Sequence, residues 1–81
     1  MTYQIDAYVE LGSKDNRMWL ARAPCLDFSE ARQRAISLVV GHRYMEIGPV
    51  IVLVIENRSG RAVYRIQRDA NGKIGSYVLN R

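Results

Sequence analysis

The sequence contains few of the residues that covalent cross-links, metal sites and membrane spans require. It has one cysteine, Cys25, and one histidine, His42, in 81 residues. A single cysteine excludes an internal disulfide and a zinc site built on several cysteines, and such a composition is typical of a reducing compartment. The longest apolar run has six residues, 50–55, whereas a membrane-spanning helix needs about 20. We therefore expect a cytoplasmic protein with no secretion signal, no membrane contact, no metal and no cofactor.

Acidic residues are nearly missing from the last part of the chain. Residues 58–81 contain six basic residues and one acidic residue, which gives a net charge of +5. Residues 1–57 contain six basic and seven acidic residues, which gives a net charge of −1. Ten of the twelve basic residues are arginine, which pairs with carboxylate or phosphate through two parallel hydrogen bonds and stacks on aromatic rings. This distribution indicates contact with an acidic protein surface or a nucleic-acid backbone, or a basic surface that aids solubility.

The strongest structural signal is residues 50–55, Val-Ile-Val-Leu-Val-Ile. β-Branched residues favour strands, and a strand that is apolar on both faces belongs in the middle of a sheet. Side chains alternate between the faces of a strand. One face is therefore expected to carry Val50, Val52 and Val54, and the other Ile51, Leu53 and Ile55.

The rest of the chain divides into four further strands and one helix. Residues 3–11 alternate between apolar and polar and predict the first strand. After a turn at 12–16, residues 17–23 form the second, which Pro24 ends. Its predicted faces carry Met18 and Leu20 on one side and Trp19, Ala21 and Ala23 on the other. Asp27 is the predicted cap of a helix that ends at Gly41. Two more strands, 61–67 and 74–79, follow turns at 57–60 and 69–72.

The order ββαβββ predicts an α+β fold of one compact domain, residues 1–81. If the helix returns the chain so that strand 3 runs parallel to strand 2, strand 1 fits between them in a split βαβ crossover. The result is a single five-stranded, mainly antiparallel sheet of order 2-1-3-4-5, with the helix packed on one face.

No group of residues predicts catalysis. His42 has no second ligand or nucleophile at a useful spacing, and Cys25 lacks neighbours that would lower its pKa. The acidic residues are scattered singly, without an acid and base pair. We expect a protein that is not an enzyme and has no catalytic residues.

The sheet face away from the helix, called the open face below, is the predicted functional surface. Its apolar centre flanked by aromatic and arginine side chains has the composition of a protein–protein interface. Two alternatives are that the connector at residues 42–47 folds over this face, or that two copies pack sheet to sheet as a homodimer. The residues expected to contact a partner are Tyr8, Trp19, Arg58, Arg61, Arg65, Gln67, Arg68 and Tyr77.

The layout of the chain resembles that of some small phage-encoded anti-CRISPR proteins. The resemblance rests on the order ββαβββ, on the helix pattern Ser29, Ala31, Arg32, Ala35 and on the arginine-rich strands that close the chain. It implies a non-enzymatic inhibitor that binds a Cas surveillance complex and blocks target DNA. Because this chain is basic, mimicry of DNA by acidic residues is not its expected mechanism.

A second resemblance is to the N-terminal domain of HicB-type antitoxins, which would make the protein a toxin-neutralising module. It is carried by Trp19, Ala21, Pro24, Leu26, Glu30 and Ala31. The glycine-containing loop expected after Leu26 is missing, and no DNA-binding segment follows strand 5. A third alternative is weak, salt-sensitive and sequence-independent nucleic-acid binding, in which Arg58, Arg61, Arg65, Arg68 and Lys73 contact phosphates and Tyr64 or Tyr77 stacks on bases.

Overall fold

The computed structural model describes residues 2–13, 15–41 and 48–79. Its elements are β1 (Tyr3–Glu10), β2 (Arg17–Cys25), α1 (Phe28–Gly41), β3 (Val50–Glu56), β4 (Arg61–Arg68) and β5 (Ile74–Val78). The strands form one open sheet of order β2-β1-β3-β4-β5, and each neighbouring pair is antiparallel. The predicted α+β class and strand order are confirmed.

Strand β3 lies at the centre of the sheet, as its composition requires. On the helix side, Val52 pairs with Ala7 and Ile66, and Val54 pairs with Ile5 and Tyr64. These residues belong to one buried core cluster. The predicted division of this strand into a valine face and an Ile-Leu-Ile face is confirmed.

Helix α1 begins at the predicted cap. The backbone N–H of Glu30 donates to Asp27 Oδ1 at 2.8 Å, which satisfies one of the amide hydrogens left unpaired at a helix start. Ala31, Ala35 and Val39 are completely buried and face the sheet at helical spacing. The helix packs mainly on β1, β3 and β4, so the other face of these strands is the open face.

Two β-bulges change which side chains reach the open face. In the pairing of β1 with β2, Ala7 lies opposite Ala21 and Tyr8 lies opposite Trp19, so Leu20 is the extra residue. Such an insertion reverses the alternation of side chains beyond it. Trp19 therefore points to the open face whereas Ala21 points to the helix, and the prediction that both share a face is wrong.

The second bulge lies in the pairing of β3 with β4. Val54 pairs with Tyr64 but Ile55 pairs with Ala62, which makes Val63 the extra residue. Arg61 then lies opposite Glu56, on the helix side of the sheet. The prediction that Arg61 lies on the open face is therefore wrong.

Strand β2 continues through Pro24 to Cys25, so the prediction that Pro24 ends the strand is also wrong. Because β2 is an edge strand, it has a free side on which the missing amide hydrogen of a proline breaks no pairing.

Gly48 begins the last described segment at a point of close contact with β1. A Cβ atom at this position would collide with the carbonyl oxygen of Glu10, so only glycine fits.

The predicted cover of the open face by residues 42–47, and His42 itself, lie outside the described residues. In the described ranges, no helix is long and apolar enough to cross a membrane.

Candidate functional site: the open face of the sheet

The centre of the open face is an apolar strip on β3. Ile51 is buried, whereas Leu53 and Ile55 are partly exposed. Ile51 lies between Tyr8 on β1 and Gln67 on β4. The strip therefore offers apolar area to a partner mainly through Leu53 and Ile55.

A continuous row of aromatic and charged side chains borders this strip on β1 and β2. It consists of Arg17, Tyr8, Trp19, Arg22 and Asp6, and we call it the arginine–aromatic row. The Arg17 guanidinium lies 4.4 Å from the Tyr8 ring centroid, and the Arg22 guanidinium lies 4.7 Å from that of Trp19. The Tyr8 and Trp19 rings meet edge to face at 5.3 Å. All three contacts have geometries that aromatic rings favour.

Asp6 anchors the row. Only 5% of this residue is exposed, and a buried carboxylate is tolerated when it is paired and hydrogen-bonded. Its Oδ1 accepts hydrogen bonds from Arg22 Nε at 3.1 Å and from Gln4 Nε2 at 3.0 Å. The ion pair fixes the position of Arg22, and Arg22 in turn fixes Trp19.

Trp19 is the accessible aromatic ring of this row. It is 50% exposed, whereas Tyr8 is only 3% exposed. The ring is held on two sides by Tyr8 and Arg22 and leaves half of its surface for a partner. The bulge at Leu20 is the local cause, because without it Trp19 would point to the helix side.

The other border of the strip lies on β4 and β5. Arg65 Nε donates to Gln67 Oε1 at 2.9 Å, and Tyr77 pairs with Arg65 across the strands. The Tyr77 ring leans over Gly75, where a Cβ would lie 2.9 Å from the tyrosine hydroxyl oxygen. Tyr77 is half-exposed like Trp19, so an accessible aromatic ring stands on each side of the strip.

The remaining predicted residues do not share this face. Arg68 points to the helix side, where its Nη1 donates to the carbonyl oxygen of Val40 at 3.2 Å, close to the negative end of the helix dipole. Its Nε is buried without a hydrogen-bond partner in the described part of the chain. Arg58 lies in the exposed turn between β3 and β4. The structure thus brings together five of the eight predicted residues, namely Tyr8, Trp19, Arg65, Gln67 and Tyr77.

Sequence reasoning did not include Asp6, Arg17 and Arg22 among the site residues. Their contacts depend on the exact pairing of β1 with β2. The available signal was the presence of an arginine on either side of the single tryptophan, because arginine stacks readily on aromatic rings.

Within residues 2–13, 15–41 and 48–79, no three histidine, cysteine or acidic residues come together in a way that would hold a metal ion. No protein-family model matches the chain, and neither the curated proteins nor the solved structures include a significant match.

Proposed function

We propose that the protein is a non-catalytic inhibitor that docks on a partner protein through its open face. The observation that carries this proposal is the half-exposed Trp19 ring, held between Tyr8 and Arg22 beside an apolar strip. Tryptophan, tyrosine and arginine are the residues that most often dominate binding energy at protein interfaces.

The arginine–aromatic row lowers the cost of binding. A side chain that is ordered only in the complex costs about 0.5–1.5 kcal/mol in lost rotamer freedom. Trp19 and Arg22 are already packed together and tied to Asp6 in the free protein. The row thus presents a preformed anchor to the partner.

The partner class that we propose is a Cas surveillance complex, whose binding to target DNA the protein would block. The supporting arguments are the resemblance of the ββαβββ layout to small anti-CRISPR proteins and the net charge of +4. A basic inhibitor is expected to contact acidic protein side chains, since the arginines on the open face pair well with carboxylates.

Direct nucleic-acid binding has less support from the geometry. A phosphate-binding track needs its basic side chains along one surface. Arg65 lies on the open face, Arg61 and Arg68 lie on the helix side, and Arg58 lies in a turn. A HicB-type toxin is a second protein partner proposed for the same surface, and co-expression of the protein with such a toxin measures whether the toxin is neutralised.

The test measures the binding of labelled target duplex to purified Cas surveillance complexes, with and without the protein, at about 150 mM salt. We expect one class of complex to lose DNA binding. Arg65→Glu, on the open face, should relieve the inhibition, whereas Arg61→Glu makes the same charge change on the helix side of the same strand and should inhibit as the wild type does.

Three results would contradict the proposal. They are a failure of the protein to inhibit any Cas complex, an equal loss of inhibition in Arg65→Glu and Arg61→Glu, and neutralisation of a HicB-type toxin instead. Binding of the isolated protein to duplex DNA, with a log–log salt slope near −0.9 per phosphate contact, would favour the nucleic-acid alternative.

A further inference from the structure

The two edges of the sheet differ in how they are protected against pairing with another strand. The β2 edge has a bulge at Leu20, a proline at position 24 and the basic side chains of Arg17 and Arg22. All three are devices that block edge-to-edge association. The β5 edge, Ile-Gly-Ser-Tyr-Val, has no proline, no charge and an unbroken register with β4.

The backbone of β5 offers hydrogen-bonding groups on its outer side. Asp69 N–H donates to the Lys73 carbonyl oxygen, and Leu79 N–H donates to the Val63 carbonyl oxygen, both at 3.0 Å. In an antiparallel pair, hydrogen-bonded positions alternate. The odd-numbered residues of β5 therefore face β4. The N–H and C=O groups of Ile74, Ser76 and Val78 face outward.

We propose that this edge pairs antiparallel with β5 of a second copy of the chain, on a two-fold axis at Ser76. Ile74 then lies opposite Val78 of the other copy, and Ser76 lies opposite its own counterpart. The three outward-facing residues of each strand meet as hydrogen-bonded pairs. Each such pair exchanges two bonds, which gives about six in all.

The side chains of β5 fit this register on both faces. On the open face, Gly75 lies opposite Tyr77 of the other copy, and each Tyr77 ring leans over Gly75 of its own strand. On the helix side, Ile74 and Val78 are 44% and 75% exposed. The pairing brings these aliphatic side chains of both copies together and removes apolar surface from water, which is the main driving force of association.

The charges of the segment do not oppose this arrangement. Residues 74–78 carry none, and Lys73 lies opposite residue 79 of the other copy. The two Lys73 residues are then about 20 Å apart along the strands, well beyond the screening length of about 8 Å at physiological salt. A second copy is the occupant that this self-complementary segment fits.

The pairing has a consequence for the shape of the assembly. A two-fold axis between antiparallel strands of one sheet is perpendicular to the sheet, so both helices lie on one side and both open faces on the other. The dimer has a continuous ten-stranded sheet and two Trp19 rings on the same surface. This inference is independent of the proposed inhibition, because it uses the edge of the sheet and not the open face.

Sedimentation velocity of the full chain, from about 1 μM to about 1 mM, tests the proposal. The wild type should form a dimer. Ser76→Pro removes an outward-facing N–H without removing a hydrogen bond to β4, and should give a monomer. Ser76→Lys and Ser76→Glu each place like charges opposite each other and should raise the dimer dissociation constant about fivefold. An equimolar mixture of the two charged variants should restore dimerisation.

Ser13→Lys, in an exposed turn away from β5, is the matched control and should leave the dimer unchanged. A wild type that is monomeric throughout would overturn the proposal. So would a dimer that persists in Ser76→Pro, or charged variants that fail to recover on mixing, since the contact would then lie elsewhere.

Cross-linking gives a second measurement. Hydrogen-bonded antiparallel residues have Cα atoms about 5.5 Å apart, within the range that a disulfide bridges. Ser76→Cys should therefore give a covalent dimer under oxidising conditions, whereas the wild-type chain should not, because its Cys25 is buried. Absence of the cross-link in Ser76→Cys would contradict the register.

Discussion

At the scale of single residues, a buried carboxylate orders an exposed tryptophan through the arginine between them. Asp6 is nearly inaccessible, whereas the side chain of its partner Arg22 is 63% exposed. An ion pair with one solvated partner contributes modestly to stability, typically below about 1 kcal/mol. Its larger effect is geometric, because it holds the Arg22 guanidinium over the Trp19 ring.

A double-mutant cycle should detect this pair. Asp6→Asn and Arg22→Gln should each lower the free energy of unfolding in urea, and the double variant should lose less than their sum. The expected coupling is about 0.5–1 kcal/mol. Asp6→Asn combined with Arg34→Gln, on the exposed side of α1, is the control and should be additive. Additivity of Asp6→Asn with Arg22→Gln would mean that the pair does not order the row.

At the scale of elements, the helix can pack closely on the sheet because its buried residues are small. Ala31 and Ala35 have no exposed surface, and a larger side chain there would force the helix away from β1 and β3. Overpacking of a filled core typically costs about 1–3 kcal/mol.

Ala35→Leu should therefore lower the free energy of unfolding by about 1–3 kcal/mol in urea denaturation. Gln33→Leu introduces the same side chain on the exposed side of the helix and should change it by less than about 0.5 kcal/mol. Equal stability of the two variants would show that α1 does not pack on the sheet through the Ala31, Ala35 and Val39 face.

The elements also show where sequence reasoning succeeds. Residues 50–55 are apolar on both faces and therefore require a central strand. The helix between strands 2 and 3 returns the chain so that these two strands run parallel. These two constraints suffice for the strand order. They act through composition and chain connectivity, which are visible in the sequence.

The bulges show where it fails. A period-two pattern assumes that every residue is paired, and an unpaired Leu20 or Val63 is not distinguishable from a regular one by its side chain. The predicted faces of Trp19 relative to Ala21, and of Arg61, were wrong for this reason. Tyr8, Arg65 and Gln67 were correctly predicted to lie on the open face. No bulge interrupts the alternation of side chains along the parts of β1 and β4 that contain them.

Apart from the two arginines that flank Trp19, the sequence holds no signal for the contacts of the arginine–aromatic row. They depend on which residue of β2 lies opposite Tyr8, and a shift of one position would remove Trp19 from the open face. Register is set by the packing of the whole sheet. The candidate site was therefore predictable as a surface but not as an arrangement of side chains.

At the scale of the whole molecule, the helix side, the open face and the β5 edge present different kinds of chemical groups. The helix side holds the core and takes up Arg68 at the helix end. The open face presents two half-exposed aromatic rings, and the β5 edge presents the outward-facing backbone groups of Ile74, Ser76 and Val78. Among the described residues of the basic C-terminal part, Arg65 lies on the open face, Arg61 and Arg68 lie on the helix side, and Arg58 lies in a turn.

The central claim is that Trp19 on the open face is the main contact with a partner protein. The most direct measurement uses the Cas complex proposed as the partner, and compares its dissociation constants for the wild type and for Trp19→Ala by calorimetry at about 150 mM salt. Leu26→Ala is the control, because Leu26 is 64% exposed but lies in the connection between β2 and α1. We expect a loss of at least about 2 kcal/mol for Trp19→Ala, or about 30-fold, and less than about twofold for Leu26→Ala. Equal affinities of Trp19→Ala and the wild type would contradict the account.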